Sequence, residues 1–147
     1  DESLWVADVG QDTWEEIDHV QADGSAVAGR GANFGWSAYE GLVRFNTDQT
    51  AEDRVDPVFV YPHEDGRCSV IGGAVAHGQI AGLDGWYLYS DYCSGIVYGL
   101  HQESDGSYTN REFSESLGQV VAIDSTSDGL FAIDIEGKIL KLKIADR

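Results

Sequence analysis

Gly85-Trp86-Tyr87-Leu88-Tyr89-Ser90-Asp91-Tyr92-Cys93-Ser94-Gly95-Ile96-Val97-Tyr98-Gly99-Leu100 reads as a strand, a tight turn and a returning strand. Aromatic and aliphatic residues fill both arms, and Asp91 and Gly95 bracket the turn, residue types that close short connections. Two other stretches follow the same plan. Leu4-Trp5-Val6-Ala7-Asp8 precedes Glu16-Ile17-Asp18-His19-Val20, and Leu130-Phe131-Ala132-Ile133-Asp134 precedes Gly137-Lys138-Ile139-Leu140-Lys141-Leu142. No segment carries a helical 3.6-residue period, and 18 glycines against two prolines indicate many tight turns between short strands.

The spacing of these repeats sets the architecture. Asp91 and Asp134 lie 43 positions apart, about the length of a four-stranded propeller blade. Asp8 and Asp91 lie 83 apart, nearly twice that, and the excess is assigned to a loop insertion at about 22–55, rich in Gly, Ala, Asp and Asn and without strand alternation. The expectation is an all-β partial β-propeller of about three blades of four-stranded antiparallel sheet. The first blade has strands at 4–9, 15–20 and 57–62, the second at 69–77, 86–91, 95–100 and 107–114, and the third at 119–124, 129–135 and 137–144. The third lacks an outer strand, as it would where the N-terminal strand of a ring closes the last blade. Residues 1–147 then form the C-terminal part of one propeller domain. A sandwich of about ten strands satisfies the same periodicity.

Composition narrows the function classes. Nine basic residues against 26 acidic ones give a net charge of −17, which repels nucleic acid and anionic membrane surfaces and favours cations, while neutral ligands are tolerated. Apolar residues at 42% suffice for a core, and no apolar run approaches the ~20 residues of a membrane span. Cys68 and Cys93 lack the paired spacing of a zinc site. They flank strands of the same expected blade, so the leading reading is a disulfide that closes a loop of about 25 residues and adds roughly 3 kcal/mol of stability. Two unrelated buried thiols are the alternative. A disulfide places the protein outside the reducing cytosol, secreted or periplasmic.

Several motifs resemble one family in order along the chain. Asp8-Val9-Gly10-Gln11 followed by Trp14-Glu15-Glu16-Ile17 is similar to its Asp-x-Gly-Gln turn and Trp-Glu-Glu-Ile strand. Asn33-Phe34-Gly35-Trp36 and Glu40-Gly41 are similar to its Asn-aromatic-Gly-Trp and Glu-Gly signatures, and Tyr61-Pro62-His63, Ser69-Val70-Ile71-Gly72-Gly73 and Asp91-Tyr92-Cys93-Ser94-Gly95 to later segments. The chain thereby resembles the glucose/sorbosone dehydrogenase family of six-bladed propellers. That family includes sugar (aldose) dehydrogenases dependent on pyrroloquinoline quinone (PQQ) and the propeller of Hedgehog-interacting proteins, which bind rather than catalyse. The resemblance implies a partial six-bladed ring whose N-terminal blades lie outside this chain. It also implies an oxidoreductase acting on a sugar or related alcohol. The alternative is a non-catalytic extracellular propeller that binds carbohydrate or protein.

The residues themselves single out the acidic cluster Asp8, Asp12, Glu15, Glu16 and Asp18. In a strand Glu16 and Asp18 face one way and Glu15 the other, so two carboxylates converge where a hard cation wants six to eight oxygens. A solvated acidic face is the alternative. The resemblance implies Ca²⁺ at Glu16 with the Phe34 backbone carbonyl, and relatives that hold PQQ reach its Ca²⁺ through backbone carbonyls at the positions of Gly10 and Gln11. Where those relatives grip the PQQ carboxylates with Lys and an Arg-x-Arg pair, this chain has Cys93 or Ser94, and Gln119 and Val121. Four of its nine cations, Lys138, Lys141, Lys143 and Arg147, lie at the terminal strand and tail. His63 and His77 are candidate bases, although a structural or surface role is commoner for such histidines, and the resemblance places the family's catalytic histidine in an earlier blade. No catalytic residue is assigned. Trp36 and Tyr39 suit either a sugar pocket or packing under the insertion.

Overall fold

A computed structural model describes residues 2–22, 24 and 27–143. The described residues are all β and turn, with twelve strands. They are β1 (Leu4–Asp8), β2 (Trp14–Val20), β3 (Tyr39–Glu40), β4 (Val43–Arg44), β5 (Phe59–Pro62), β6 (Val70–Val75), β7 (Tyr87–Asp91), β8 (Val97–Gln102), β9 (Tyr108–Glu112), β10 (Val120–Thr126), β11 (Gly129–Asp134) and β12 (Ile139–Lys141). The chain divides into two compact units, Asp1–His63 and Glu64–Arg147.

In the second unit one antiparallel sheet runs in the order β6-β7-β8-β9 and another in the order β10-β11-β12. The first is the complete four-stranded blade expected from the Gly85–Leu100 repeat. Its strand β7 is buried at all five residues, which is why both faces of Tyr87-Leu88-Tyr89 are apolar or aromatic. Leu88 and Val97 of this sheet pack with Val120, Ile123, Leu130 and Ala132 of the other in one continuous apolar cluster. The face-to-face packing of two sheets removes these side chains from water, and each fully buried Leu or Val contributes about 1.5–3 kcal/mol.

The β6–β7 register shifts between Ile71 and Ala74, at the Gly72-Gly73 pair. A Cβ on Gly73 would lie 1.7 Å from the Leu88 carbonyl oxygen, so the neighbouring backbone occupies the space a side chain would need. Cys68 and Cys93 form a disulfide with Cα atoms 5.6 Å apart, and the pairing expected from the sequence is therefore present. Asp91, fully buried at the end of β7, stitches the same corner. Its Oδ2 accepts from the backbone N–H of Cys68 and Ser69, and its Oδ1 from those of Cys93 and Ser94, at 2.9–3.0 Å.

The first unit contains the three-stranded sheet β1-β2-β5 and the short hairpin β3-β4. The strands expected at 4–9, 15–20 and 57–62 are all present as β1, β2 and β5. The segment 22–55, read as free of strands, contains β3 and β4 and an isolated bridge between Asn33 and Arg54. Two-residue strands are too short to show alternation, which explains why the pattern concealed them. The part of that segment at 23 and 25–26 lies outside the described residues. So do Arg147 and Ile144, the last residue of the strand expected at 137–144.

Candidate cation site

Register decides which acidic side chains meet. In the β1–β2 pair Asp8 stands opposite Glu16 and Val6 opposite Asp18. Glu16 and Asp18 share a face of β2, and Asp8 reaches the same face from β1. Carboxylate oxygens of these three residues lie within 4.8 Å of one another. The solvated-face alternative fails, because Asp18 is fully buried and Glu16 only 6% exposed. Glu15, equally buried, points the other way and meets His63 Nε2 at 2.6 Å. Asp12 does not join the cluster: it is exposed in the turn.

Three like charges in one buried place are unfavourable, and the protonation energetics reflect this. Burial, then the Asp18 and Asp8 carboxylates, push Glu16 up to about 8, against the lowering effect of the Gly41 N–H and the Arg54 guanidinium. Burial and the neighbouring Asp8 push Asp18 up to about 7, and burial raises Asp8. Glu16 Oε2 and both Asp18 carboxylate oxygens are buried without a hydrogen-bond partner. Orphaned buried carboxylate oxygens cost stability, and a cation that takes them as ligands removes that cost.

The cluster borders a cavity of about 250 Å³ lined by Asp8, Val9, Gly10, Gln11, Glu16, Trp36, Tyr39, Glu40 and Gly41. Gly10, Gln11 and Glu16, three of the residues singled out from sequence, thus line the same cavity. Phe34, the fourth, is not among the described lining residues; its near neighbour Trp36 is, and is 55% exposed. Gly10 has no substitute here, since a Cβ would lie 1.6 Å from the Trp14 carbonyl oxygen. No Lys or Arg is among the described lining residues. Arg44 and Arg54 instead approach the ring of Tyr39, with Arg54 3.4 Å from its centroid and paired with Asp56.

The Glu40-Gly41 motif by itself carries no sign of what Glu40 does. The structure brings Glu40 across from β3, where its Oε1 accepts from the backbone N–H of Asp12, Thr13 and Trp14 at 2.6, 2.7 and 3.2 Å. Of the two candidate bases, His63 is held by Glu15, and His77 is exposed. Neither lines the cavity.

A partial propeller with a carboxylate-rich pocket at its first strand turn is the class that fold and site define. No protein-family model matches the chain. The chain is 31% identical over 121 residues to the HIPL1 protein of Arabidopsis thaliana and 29% identical over 119 residues to its HIPL2 protein. Each match covers 71% of this chain and 16% of the relative, so the chain spans a small part of these proteins. Among solved structures it is similar in fold to the PQQ-bound aldose sugar dehydrogenase of Streptomyces coelicolor, with a TM-score of 0.58 and 16% identity over 90% of this chain and 34% of that one. The chain is therefore similar in fold to this dehydrogenase and similar in sequence to part of the HIPL proteins. No helix among the described residues is long and apolar enough to cross a membrane.

Proposed function

We propose that this chain is the C-terminal part of a secreted or periplasmic sugar (aldose) dehydrogenase-like propeller, and that within it Asp8, Glu16 and Asp18 hold a Ca²⁺ ion. The observation that carries the reading is the set of orphaned oxygens, Glu16 Oε2 and both of Asp18, buried beside Asp8. An all-oxygen, multiply anionic donor set fits a hard divalent cation and not a soft one. The family resemblance suggests the Phe34 backbone carbonyl as a further donor to this ion, and gives the carbonyls of Gly10 and Gln11, residues that line the cavity, to a cofactor-bound Ca²⁺. The ion would stabilise the strand turn and keep three carboxylates ionised where water alone does not. The Cys68–Cys93 disulfide supports a compartment more oxidising than the cytosol.

PQQ supplies two-electron oxidation of an alcohol when bound, and its three carboxylates need cationic or multiple N–H partners. The described residues around Gly10 and Gln11 offer carboxylates and no Lys or Arg, and Cys93 or Ser94, Gln119 and Val121 stand where the resemblance places the cations of PQQ-binding relatives. This chain by itself does not fit the quinone: either cations from blades outside it grip the cofactor, or the propeller does not bind PQQ. The same observation favours a second reading, a non-catalytic extracellular propeller that binds carbohydrate or protein. Whole propeller supplied with Ca²⁺ and PQQ and assayed for dye reduction with aldoses separates the two. The dehydrogenase reading expects turnover that Glu16→Gln lowers at least tenfold. Ca²⁺ binding without turnover selects the binding propeller.

A further inference from the structure

The three repeats end their first strand on the same residue type and use it differently. Asp91 ends β7 and Asp134 ends β11, and each folds its carboxylate back onto the turn that follows. Asp91 takes the N–H groups of Cys93 and Ser94, and Asp134 Oδ1 takes those of Glu136 and Lys138 at 3.0 and 2.8 Å. Such carboxylate-to-backbone bonds close a turn that would otherwise leave its amides to water. Asp8 ends β1 at the corresponding place. Among the described residues its carboxylate accepts no backbone N–H, and it lies instead with Glu16 and Asp18.

The turn after β1 is nevertheless held. Glu40, only 5% exposed, reaches it from another strand and binds the amides of Asp12, Thr13 and Trp14 through one oxygen. Burial pushes the Glu40 carboxyl up, but the N–H groups of Thr13, Asp12, Trp14 and Gln11 outweigh it and hold the group below the usual carboxylate range. It therefore stays an ionised acceptor at neutral pH. The same Oε1 would lie 2.9 Å from a Cβ placed on Gly10, so Glu40 and the glycine turn are fitted to each other.

We propose that Glu40 is the positioning residue of the cation site: it performs from β3 the turn-holding task that the strand-ending aspartate performs in the other two repeats, and so releases Asp8 to join Glu16 and Asp18. Glu40 acts through the backbone of residues 11–14 and is not itself a ligand. This inference rests on the Ca²⁺ reading above. It predicts that Ca²⁺ affinity depends on the turn-holding acceptor and not on the Glu40 charge.

The test uses the whole propeller, as parent, Glu40→Ala and Glu40→Gln, with calorimetric Ca²⁺ titration and amide hydrogen exchange measured without Ca²⁺. Glu40→Ala should speed exchange at Asp12–Trp14 and weaken Ca²⁺ binding by about 10–100-fold, the range for residues that orient metal ligands. Glu40→Gln retains a carbonyl acceptor and should bind Ca²⁺ within about fivefold of the parent. Unchanged exchange and affinity in Glu40→Ala would overturn the proposal. So would Glu40→Gln weakened as much as Glu40→Ala with exchange at 12–14 at the parent rate, which would make Glu40 a ligand. A parent chain that takes no Ca²⁺ overturns the cation site itself. That outcome is distinct from failure of Glu40 alone, in which parent and Glu40→Ala bind equally well.

Discussion

Replacing Asp91 with alanine is expected to destabilise the second unit by about 4 kcal/mol, among the larger losses a single substitution produces. Four backbone N–H groups donate to this one buried carboxylate, two before β6 and two in the turn after β7. Hydrogen bonds to an ionised acceptor contribute about 1.5–3 kcal/mol each, a loss tempered by water at Cys93, the one exposed residue among the four donors. Asp91→Asn keeps one oxygen but turns an amide NH₂ towards two donors, and should lose somewhat less. Urea unfolding with the Cys68–Cys93 disulfide verified intact measures both. A loss below about 1 kcal/mol for Asp91→Ala would mean that the disulfide alone holds this corner.

The second large effect is a dependence of metal-free stability on pH. Glu16 and Asp18 have ordinary values of 4.5 and 3.8 and are pushed up to about 8 and about 7 in the folded chain. The folded state therefore binds these protons more tightly than the unfolded state. Their contribution is fully present below about pH 4 and is lost as pH rises towards 7–8. Metal-free protein should be less stable at pH 8 than at pH 5, by about 3 kcal/mol or more. Glu16→Gln combined with Asp18→Asn should flatten that slope, which separates these two groups from the general repulsion of a chain at −17. Denaturant midpoints at several pH values, with chelator present, read the difference. Equal slopes for parent and variant would place the destabilising charge elsewhere.

Much of this molecule was legible in the sequence because its signals are local. Strand β7 and its turn combine aromatic runs with Asp91 and Gly95, and a 43-residue spacing carries the pattern forward to β11. Period-2 alternation likewise separates Glu15 from Glu16 and Asp18, and the structure puts Glu15 with His63 on the other face. The hairpin β3-β4 was not legible, since two-residue strands carry no period. Glu40 escaped for a related reason. Its role depends on a contact with residues 26 to 28 positions away, and nothing in Tyr39-Glu40-Gly41 announces which turn it will reach. The partnerless state of the Asp18 oxygens is equally a tertiary fact, which no local pattern of the sequence encodes.

The central claim is that Asp8, Glu16 and Asp18 form a site for a hard divalent cation. Calorimetric titration of Ca²⁺ into chelator-treated protein at pH 8, for the parent and for Glu16→Gln, tests it most directly. The account predicts one ion bound by the parent, binding that weakens as pH falls towards 6 because protons compete for the same oxygens, and a loss of at least about 100-fold in the variant. No binding by the parent at millimolar Ca²⁺, or equal binding by Glu16→Gln, would contradict it.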